Sequence, residues 1–540
     1  MPQLSARTVA DLPPARRPLV DRTRLVPRIL HFGLGAFHRA HQAVYTEIGN
    51  HATGGDWGIV AVAPGSADAV RRMRAQDCFY SVSDKAPGAL NTRVIGSIIE
   101  VRHAVTDSAR VQALLASANL GVVTLTVTEK GYARLAATGR LDTTDPLIAA
   151  DLARTAAGSA GESRPGAGQP VSVIGHLAFG LAQRFRTHQV PLTIVSADNM
   201  AGNGPALRQV VLDFITSSHW ADAAPLAAWV AASAAFPETV VDRIVPATTD
   251  SERAAAAAAL GLKDAMAVAG EPYRQWVIED SFATERPPWA AAGAEFTADV
   301  APHALTKLRL LNGAHSAIAY LGLAAGLDTV DQAMNTPWGP NLVRALAAEV
   351  SPTLPPGGPN PVAYADTLVA RFANPAIRHQ LRQIASDGSL KVPERWLAAL
   401  RQLRHTGQPV DTLSLALAAW AAAMRPDGGR RDGISDPKAN EYAAIWAGAR
   451  SLADGIGQVL ALVGAPDLAE DAELTARVAA RMEALAAGGT PIPRQGNPVN
   501  KPGSPAKPAP DFRVSAGQRT AARRGHGPAG VIHHAPEEEK

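Results

Sequence analysis

Apolar positions in the first half of the chain fall into continuous runs separated by stretches with helical spacing. Four runs rich in Val, Ile and Leu predict strands, and the stretches between them predict helices. Continuous apolar strands suit a sheet that is covered on both faces. Strands that alternate with helices predict an α/β doubly wound domain. The predicted strands are residues 28–32, 57–62, 121–128 and 191–197.

The pattern changes after about residue 300. Strand patterns fade, and alanine- and leucine-rich stretches with helical spacing take over. We therefore expect a second, mostly α-helical domain, with a boundary near residues 285–300. The predicted organisation is an N-terminal extension, an α/β domain, a helical domain and a tail, at residues 1–27, 28–290, 291–487 and 488–540.

Two segments have compositions unlike that of a packed core. Residues 156–169 are rich in Gly and Ser and predict a surface loop, and the tail from about residue 488 predicts disorder. The basic run R-T-A-A-R-R-G-H-G in the tail raises the alternative of an arm for nucleic acid or a partner. The acidic end P-E-E-E-K offsets that run, which favours a solvated linker.

Composition narrows the class of protein. The 540 residues are 46% hydrophobic and 19% charged, with a net charge of +3, which is typical of a soluble protein and gives no indication of nucleic-acid binding. The single cysteine, Cys78, excludes an internal disulfide and a cysteine-based metal site. Because we find no apolar signal-peptide core and no apolar run of the ~20 residues a membrane span needs, we expect a cytoplasmic protein without a membrane partner.

A glycine-containing segment, H-F-G-L-G-A-F-H-R-A-H, follows the first predicted strand and opens a helix. This context favours a dinucleotide site, with one glycine for the turn and the next for close approach to a pyrophosphate. A histidine takes the place of the third glycine of the usual fingerprint, so an ordinary strand–helix turn stays an alternative. A metal site at the H-x-x-H spacing is less favoured, because no Cys or carboxylate accompanies it. The predicted cofactor-binding residues are Gly33, Leu34, Gly35, Ala36, Phe37, His38 and Arg39.

The acidic residue that would distinguish NAD from NADP is missing at its usual place. An acid at the end of the second strand binds the ribose diol of NAD. Here that end reads A-V-A-P-G-S, and the first acid is Asp68. The choice between the two cofactors therefore stays open.

The stretch K-L-R-L-L-N-G-A-H-S, residues 307–316, combines a buried leucine pattern with polar groups. At 100° per residue, Lys307, Asn312 and His315 share one side of a helix across a broad arc. A lysine whose pKa is lowered by burial can act as a base, and an asparagine amide can stabilise an alkoxide. The structural alternative is a lysine that snorkels, an asparagine near a kink and a satisfied histidine.

A second amide follows the fourth predicted strand. Asn199 stands at the end of P-L-T-I-V-S-A-D-N, and ligands of open α/β sheets bind beyond the carboxyl ends of the strands. Asn199 would supply a second amide to the same alkoxide. A turn built on the Asp–Asn pair is the alternative.

Together these segments resemble the polyol-specific long-chain dehydrogenases, the mannitol dehydrogenase family. The other matching stretches are L-T-V-T-E-K-G-Y, F-P-E-T-V-V-D-R-I-V-P, E-P-Y-R-Q-W-V-I-E-D-S-F and S-D-G-S-L-K-V-P-E-R, within roughly residues 28–400. The resemblance implies a Rossmann-type N-terminal domain, a mostly helical C-terminal domain and no metal. It also implies a nicotinamide cofactor, NAD with NADP as the alternative, and a secondary alcohol as substrate.

The resemblance also implies roles for particular residues. Lys307 would be the general acid/base, and Asn199 and Asn312 would form the oxyanion site. Asp242, His315 and Lys391 would contact substrate. The family commonly has a glutamate three residues before the lysine; this chain has Ala304, which puts a proton relay through that position in doubt.

Three residues, Arg309, Ser316 and Gln383, resemble the branch of the family that interconverts D-fructuronate and D-mannonate. We therefore expect a sugar-acid substrate, with Arg378 as a candidate for binding its carboxylate, since a bidentate arginine suits that group. A surface arginine is the alternative. Mannitol or another polyol is the alternative substrate, and a non-catalytic dinucleotide-binding sensor is the alternative class. Because some members of the family are monomers, we expect a monomer.

Overall fold

The computed structural model describes residues 1–156, 168–426 and 433–488. The predicted loop at 156–169, apart from its ends, and the predicted tail beyond residue 488 lie outside the described residues. The described residues contain twelve strands: β1 (Val26–Phe32), β2 (Trp57–Ala63), β3 (Tyr80–Ala86), β4 (Ala89–Ile95), β5 (Ile98–His103), β6 (Val122–Leu125), β7 (Leu192–Ser196), β8 (Ala234–Ala235), β9 (Thr239–Asp242), β10 (Val268–Gly270), β11 (Gln275–Glu279) and β12 (Glu295–Thr297).

Six parallel strands form the central sheet, in the order β5-β2-β1-β6-β7-β8. Numbered only among themselves, these strands run 3-2-1-4-5-6, which is the order of the Rossmann fold. The order reverses between β1 and β6, so the ends of these two strands form the switch point where ligands bind in such sheets. The doubly wound fold predicted from the sequence is confirmed, and its four predicted strands all lie in this sheet.

Two small sheets, which the hydrophobic pattern did not predict, complete the first half. One has the order β10-β3-β4 and the other β12-β11-β9. Their strands pair partly with partners far along the chain, such as β10 with β3, and several are only three or four residues long. Such short runs carry little periodicity of their own. β9 ends at Asp242, one of the residues predicted to contact substrate.

Helices surround the central sheet. A buried cluster with Leu30, Phe32, Val123, Leu177 and Phe214 joins the sheet to the helices that cover it. The α-helices up to residue 300 are α1 (Ala6–Val9), α2 (Ala36–Ala40), α3 (Gln42–Thr53), α4 (Ala67–Ala75), α5 (Ser108–Leu115), α6 (Pro146–Ala156), α7 (Val173–Thr187), α8 (Asn203–Ser217), α9 (Ala223–Ser233) and α10 (Asp250–Leu260).

Beyond residue 300 the described residues form helices and no named strand, as predicted. Two π-helices, Lys307–Asn312 and Pro393–Leu397, interrupt the α-helical chain. Its α-helices are α11 (Ala301–Thr306), α12 (Gly313–Ala324), α13 (Val330–Met334), α14 (Gly339–Val350), α15 (Pro361–Phe372), α16 (Leu381–Ala385), α17 (Gly388–Val392), α18 (Ala398–His405), α19 (Asp411–Ala423), α20 (Ala439–Gly448), α21 (Leu452–Leu462), α22 (Pro466–Ala469) and α23 (Ala472–Ala486). Short 3₁₀ turns lie at Pro14–Arg16, Arg22–Arg24, Glu129–Tyr132, Pro288–Ala292 and Ser351–Thr353.

Helix α12 is the centre of the helical half. Every residue from Gly313 to Leu323 is buried, which explains why the sequence shows no polar face there. Its neighbours α14, α16 and α19 supply most of the surrounding core. The active-site stretch predicted at 307–316 therefore enters the most buried helix of this half.

The single helix predicted after the glycine segment is divided in the structure. His41 leaves the helical conformation at φ −118° and ψ −89° and separates α2 from α3. Its Nε2 lies 2.8 Å from the carbonyl oxygen of Gln275, and its ring stacks on Phe37 at 4.7 Å. Because Gln275 is distant in the sequence, helical spacing alone does not reveal the break.

Candidate active site

A cavity of about 770 Å³ lies at the switch point of the central sheet. The segments after β1, β6, β7 and β9 contribute one side, and the first π-helix contributes the other. The lining residues are Gly35, Ala36, Phe37, Thr126, Thr128, Glu129, Lys130, Ala197, Asp198, Asn199, Val241, Asp242, Arg243, Lys307, Leu311 and Asn312.

The glycine segment fits a dinucleotide. Gly33 has φ +122°, and a Cβ there would lie 2.3 Å from the carbonyl oxygen of Thr126, so the turn accepts only glycine. A Cβ on Gly35 would meet no atom within 4 Å, which leaves open space above the backbone. Gly35, Ala36 and Phe37 line the cavity. A phosphate could approach the backbone there without a clash.

The remaining predicted cofactor residues do not line the cavity. Leu34 is buried, and His38 is fully buried and stacks on His31 with ring centroids 3.4 Å apart. Arg39 is buried and donates a hydrogen bond to the carbonyl of Met266. Their assignment to the cofactor stays a prediction, and their contacts in the structure are with the protein interior.

A carboxylate that follows β7 accepts hydrogen bonds from the loop after β6 and fixes it. Asp198 accepts hydrogen bonds from the backbone N–H groups of Val127 (3.2 Å) and Thr128 (2.8 Å) and from the hydroxyl of Tyr132 (2.9 Å). Thr128 has φ +66°, a rare conformation for a threonine. The result places Thr126, Thr128, Glu129 and Lys130 at the cavity. The sequence analysis did not select these four as site residues, although Glu129 and Lys130 directly follow the predicted strand at 121–128.

Lys307 reaches across the cavity to the sheet. Its Nζ donates hydrogen bonds to Oδ1 of Asn199 at 2.5 Å and to the carbonyl oxygen of Val241 at 2.7 Å. Burial lowers the pKa of Lys307; Asp242 opposes this shift, and the charges of Arg371 and Arg395 add to it. Neutral acceptors rather than a carboxylate hold the amine, so its neutral form becomes accessible at lower pH than for an exposed lysine.

The lysine lies on a π-helix, not on the α-helix that the sequence predicted. The backbone N–H of Gly313 donates to the carbonyl of Leu308, five residues earlier. In such a turn residues five apart are neighbours, so Lys307 and Asn312 both face the cavity. The spacing of 100° per residue used in the sequence analysis assumed an α-helix and does not apply to this π-helical turn. π-Helical turns occur frequently at functional sites.

The second π-helix braces the first. Nε1 of Trp396 donates to the carbonyl oxygen of Gly313 at 3.1 Å, and Nη1 of Arg395 donates to that of Asn312 at 3.3 Å. Nη1 of Arg395 also donates to Oγ of Ser316 at 2.7 Å. These side chains fix the backbone that carries Asn312.

Asp242 lines the cavity and is already held in an ion pair. It pairs with Arg371 at 2.6 Å, and Arg371 also pairs with Glu271 at 2.7 Å and lies over the ring of Tyr273 at 3.9 Å. Burial by itself would lower the pKa of Arg371, but the two carboxylates outweigh it and raise that pKa well above its ordinary value. The sequence analysis selected Asp242 and missed Arg371 and Glu271.

Three predicted substrate residues are not among those lining the cavity. His315 stacks on Phe372 at 4.1 Å, and burial keeps its pKa well below the ordinary value, so the ring is neutral. Nζ of Lys391 donates to the carbonyl of Ser386 at 2.6 Å. Arg378 is exposed, with φ +49°. Their roles stay predictions.

Comparison with known proteins identifies the class. Residues 27–291 match the mannitol dehydrogenase Rossmann domain, and residues 299–486 match the mannitol dehydrogenase C-terminal domain. The chain belongs to the mannitol dehydrogenase family of oxidoreductases, so the resemblance and the enzyme class predicted from the sequence are confirmed.

Individual relatives cover nearly the whole described chain. The chain is 38% identical to D-mannonate oxidoreductase of Escherichia coli K12 over 482 residues, which is 87% of this chain and 96% of that protein. It is similar to Pseudomonas fluorescens mannitol 2-dehydrogenase, solved in a ternary complex with NAD and D-mannitol, with a TM-score of 0.73 and 32% identity over 90% of this chain and 97% of the other. Substrate-free D-sorbitol dehydrogenase gives a TM-score of 0.79 at 28% identity, over 91% of this chain and 99% of the other.

The described residues offer neither a membrane-spanning helix nor a metal cluster. Within residues 1–156, 168–426 and 433–488, no helix is both long and apolar enough to cross a bilayer. In the same part of the chain, no group of three or more His, Cys, Asp or Glu side chains is arranged to hold a metal ion.

Proposed function

We propose that this chain catalyses the NAD-dependent interconversion of D-fructuronate and D-mannonate, with Lys307 as general acid/base. The observation that carries the proposal is the 2.5 Å contact between Lys307 Nζ and Asn199 Oδ1 at a cavity that also contains the glycine segment. The 38% identity to D-mannonate oxidoreductase, over 96% of that protein, supports the sugar-acid substrate.

The chain's own residues suit NAD at one side of the cavity. The open space above Gly35 and the backbone of Ala36 and Phe37 would hold the pyrophosphate. When bound, NAD accepts the hydride that leaves the alcohol carbon. The substrate would then lie between this segment and Lys307.

Lys307 would move the proton. In oxidation the neutral amine accepts the hydroxyl proton of the alcohol while the C–H bond yields its hydride. In reduction the protonated amine returns that proton to the oxygen of the ketone. Its hydrogen bonds to Asn199 and Val241 fix the nitrogen, so little reorganisation is needed.

The two asparagines would stabilise the alkoxide. Oδ1 of Asn199 accepts from Lys307, and we find no partner for its Nδ2 within the described residues. The side-chain amide of Asn312 likewise has no hydrogen-bond partner in the described part of the chain and lines the same cavity. Both N–H donors are thus available where negative charge develops.

A neutral polyol is the second candidate substrate. The Pseudomonas fluorescens relative is described with D-mannitol, and Arg378, the arginine predicted to bind a carboxylate, is exposed and away from the cavity lining. A non-catalytic sensor would have no need of a buried lysine held at 2.5 Å from a strand-end amide.

The test is an absorbance assay of NADH formation with D-mannonate and D-mannitol in parallel, first with NAD and then with NADP. We expect turnover with D-mannonate and NAD. Turnover with D-mannitol alone would retain the chemistry and reject the sugar acid. Tight NAD binding without turnover of either substrate would support the sensor.

A further inference from the structure

Arg395 has no ion-pair partner among the described residues. Its Nη1 donates to Oγ of Ser316 and to the carbonyl of Asn312, and no carboxylate lies within ion-pair distance of it among the described residues. Arg371 and Arg243, by contrast, are both paired with buried carboxylates. A half-buried guanidinium that lacks a counter-charge is costly unless its N–H groups find acceptors in the protein or a ligand supplies them.

The unused donors of Arg395 are accessible. Nε and Nη2 have no hydrogen-bond partner in the described residues, yet neither is sealed from solvent. Arg184 offers the contrast, because it is fully buried and all three of its nitrogens donate to backbone carbonyls. Arg395 therefore keeps some of its guanidinium N–H donors free. The arrangement of these donors matches a carboxylate in bidentate geometry.

Arg395 stands next to the reacting groups. It holds the backbone of Asn312, and its charge contributes to lowering the pKa values of Lys307, His315 and Lys391. Lys391 lies four residues before it, at the end of α17. Asp387 and Asp436 partly offset the charge of Lys391. Arg395 and Lys391 thus add positive charge beside Asn312, next to the described cavity rather than in its lining.

We infer that Arg395, oriented by Ser316 and assisted by Lys391, binds the carboxylate of the sugar-acid substrate. This inference rests on the proposed function and replaces Arg378 in the role predicted from the sequence. The carboxylate of the substrate lies at the far end of the carbon chain from the carbon that is oxidised. With that carbon near Lys307 and Asn312, the carboxylate would extend toward Arg395.

The decisive experiment measures binding of D-mannonate and D-mannitol to the NAD-loaded protein by calorimetry, together with kcat/KM for both. We expect Arg395→Gln to weaken D-mannonate binding about 10-fold more than D-mannitol binding, while any loss that acts through the backbone of Asn312 is shared by both ligands. Arg395→Lys, which keeps the charge and loses the fork, should fall between. Arg401→Gln, at an exposed arginine paired with Asp467, is the matched control and should leave both ligands unchanged.

Other outcomes separate a structural role and a rival residue. An equal loss for both ligands in Arg395→Gln would show that the residue only supports Asn312, and would overturn the inference. Selective loss of D-mannonate in Arg378→Gln instead would do the same. If Arg395→Gln does not fold, Ser316→Ala is the deciding variant. We expect it to weaken binding of D-mannonate alone by about 3- to 10-fold. An unchanged preference for the acid in that variant would reject the inference.

The proposed function and the proposed carboxylate site can be rejected separately. A wild-type protein that binds D-mannonate through Arg395 without oxidising it would reject the function and keep the binding site. A wild-type protein that oxidises D-mannonate while Arg395→Gln keeps its preference for the acid would keep the function and reject the site.

Discussion

The two sides of the cavity are built in different ways. On the sheet side, Asn199 follows the end of β7, where a parallel sheet regularly gathers polar groups, and Asp242 ends β9 in a small neighbouring sheet. On the helical side, Lys307 and Asn312 converge only because the helix between them is a π-helix. One side uses the regular geometry of its fold and the other uses a departure from it. The regular side should tolerate changes in its surroundings, whereas the irregular side should depend on the residues that brace it.

The largest expected effect is at the point where the two sides meet. Lys307→Ala removes the group that bridges to Asn199, and we expect kcat to fall about 10²- to 10⁴-fold, the usual contribution of general acid–base catalysis. NAD binding, followed by fluorescence titration, should stay within about 3-fold, since the glycine segment is untouched. A kcat within a few-fold of the wild-type value would remove Lys307 from the chemistry.

The next effect tests the charge balance on the sheet side. Arg371→Met leaves Asp242 and Glu271 buried without their cation, and we expect a loss of about 3–5 kcal/mol in the free energy of unfolding, measured in urea. Arg401→Gln, which breaks an exposed pair, should cost less than about 1 kcal/mol. Equal losses in the two variants would mean that the buried pairs do not set stability.

The smallest effect tests the brace on the helical side. Trp396→Phe removes the hydrogen bond to the carbonyl of Gly313 and should cost about 1 kcal/mol more than Trp420→Phe, whose Nε1 has no partner within the described residues. Only Trp396→Phe should also lower kcat, because only that side chain supports the π-helix. If both variants lose the same stability and activity, the hydrogen bond does not shape the site.

The regular features were predictable from the sequence. Four sheet strands, the glycine turn at Gly33 and the helical second half followed from continuous apolar runs and helical spacing. A meeting of Asn199 with Lys307 was expected from the strand-end position of Asn199 and from the family resemblance, and the structure now gives its distance. Local pattern was sufficient for these elements, although it missed β5 of the central sheet and the seven-residue strands β3 and β4.

The irregular features depend on partners far away in the sequence. The π-helix at Lys307 is held by Trp396 and Arg395, more than eighty residues later, and no spacing within residues 307–316 reports them. The break at His41 is likewise fixed by a contact with Gln275. The ion pair between Asp242 and Arg371 likewise depends on the folded arrangement of a strand and a helix.

The most direct measurement is the pH dependence of kcat/KM for oxidation of D-mannonate with NAD. Burial lowers the pKa of Lys307 below its ordinary value of 10.5, so the base becomes available as pH rises through that lowered value. The rate of oxidation should therefore rise with pH and level off with a midpoint below 10.5, while reduction falls over the same range. Arg371→Met should move the midpoint upward, because it removes a positive charge that helps to lower this pKa. A flat profile, or the same rising profile in Lys307→Ala, would contradict the assignment of Lys307 as the catalytic base.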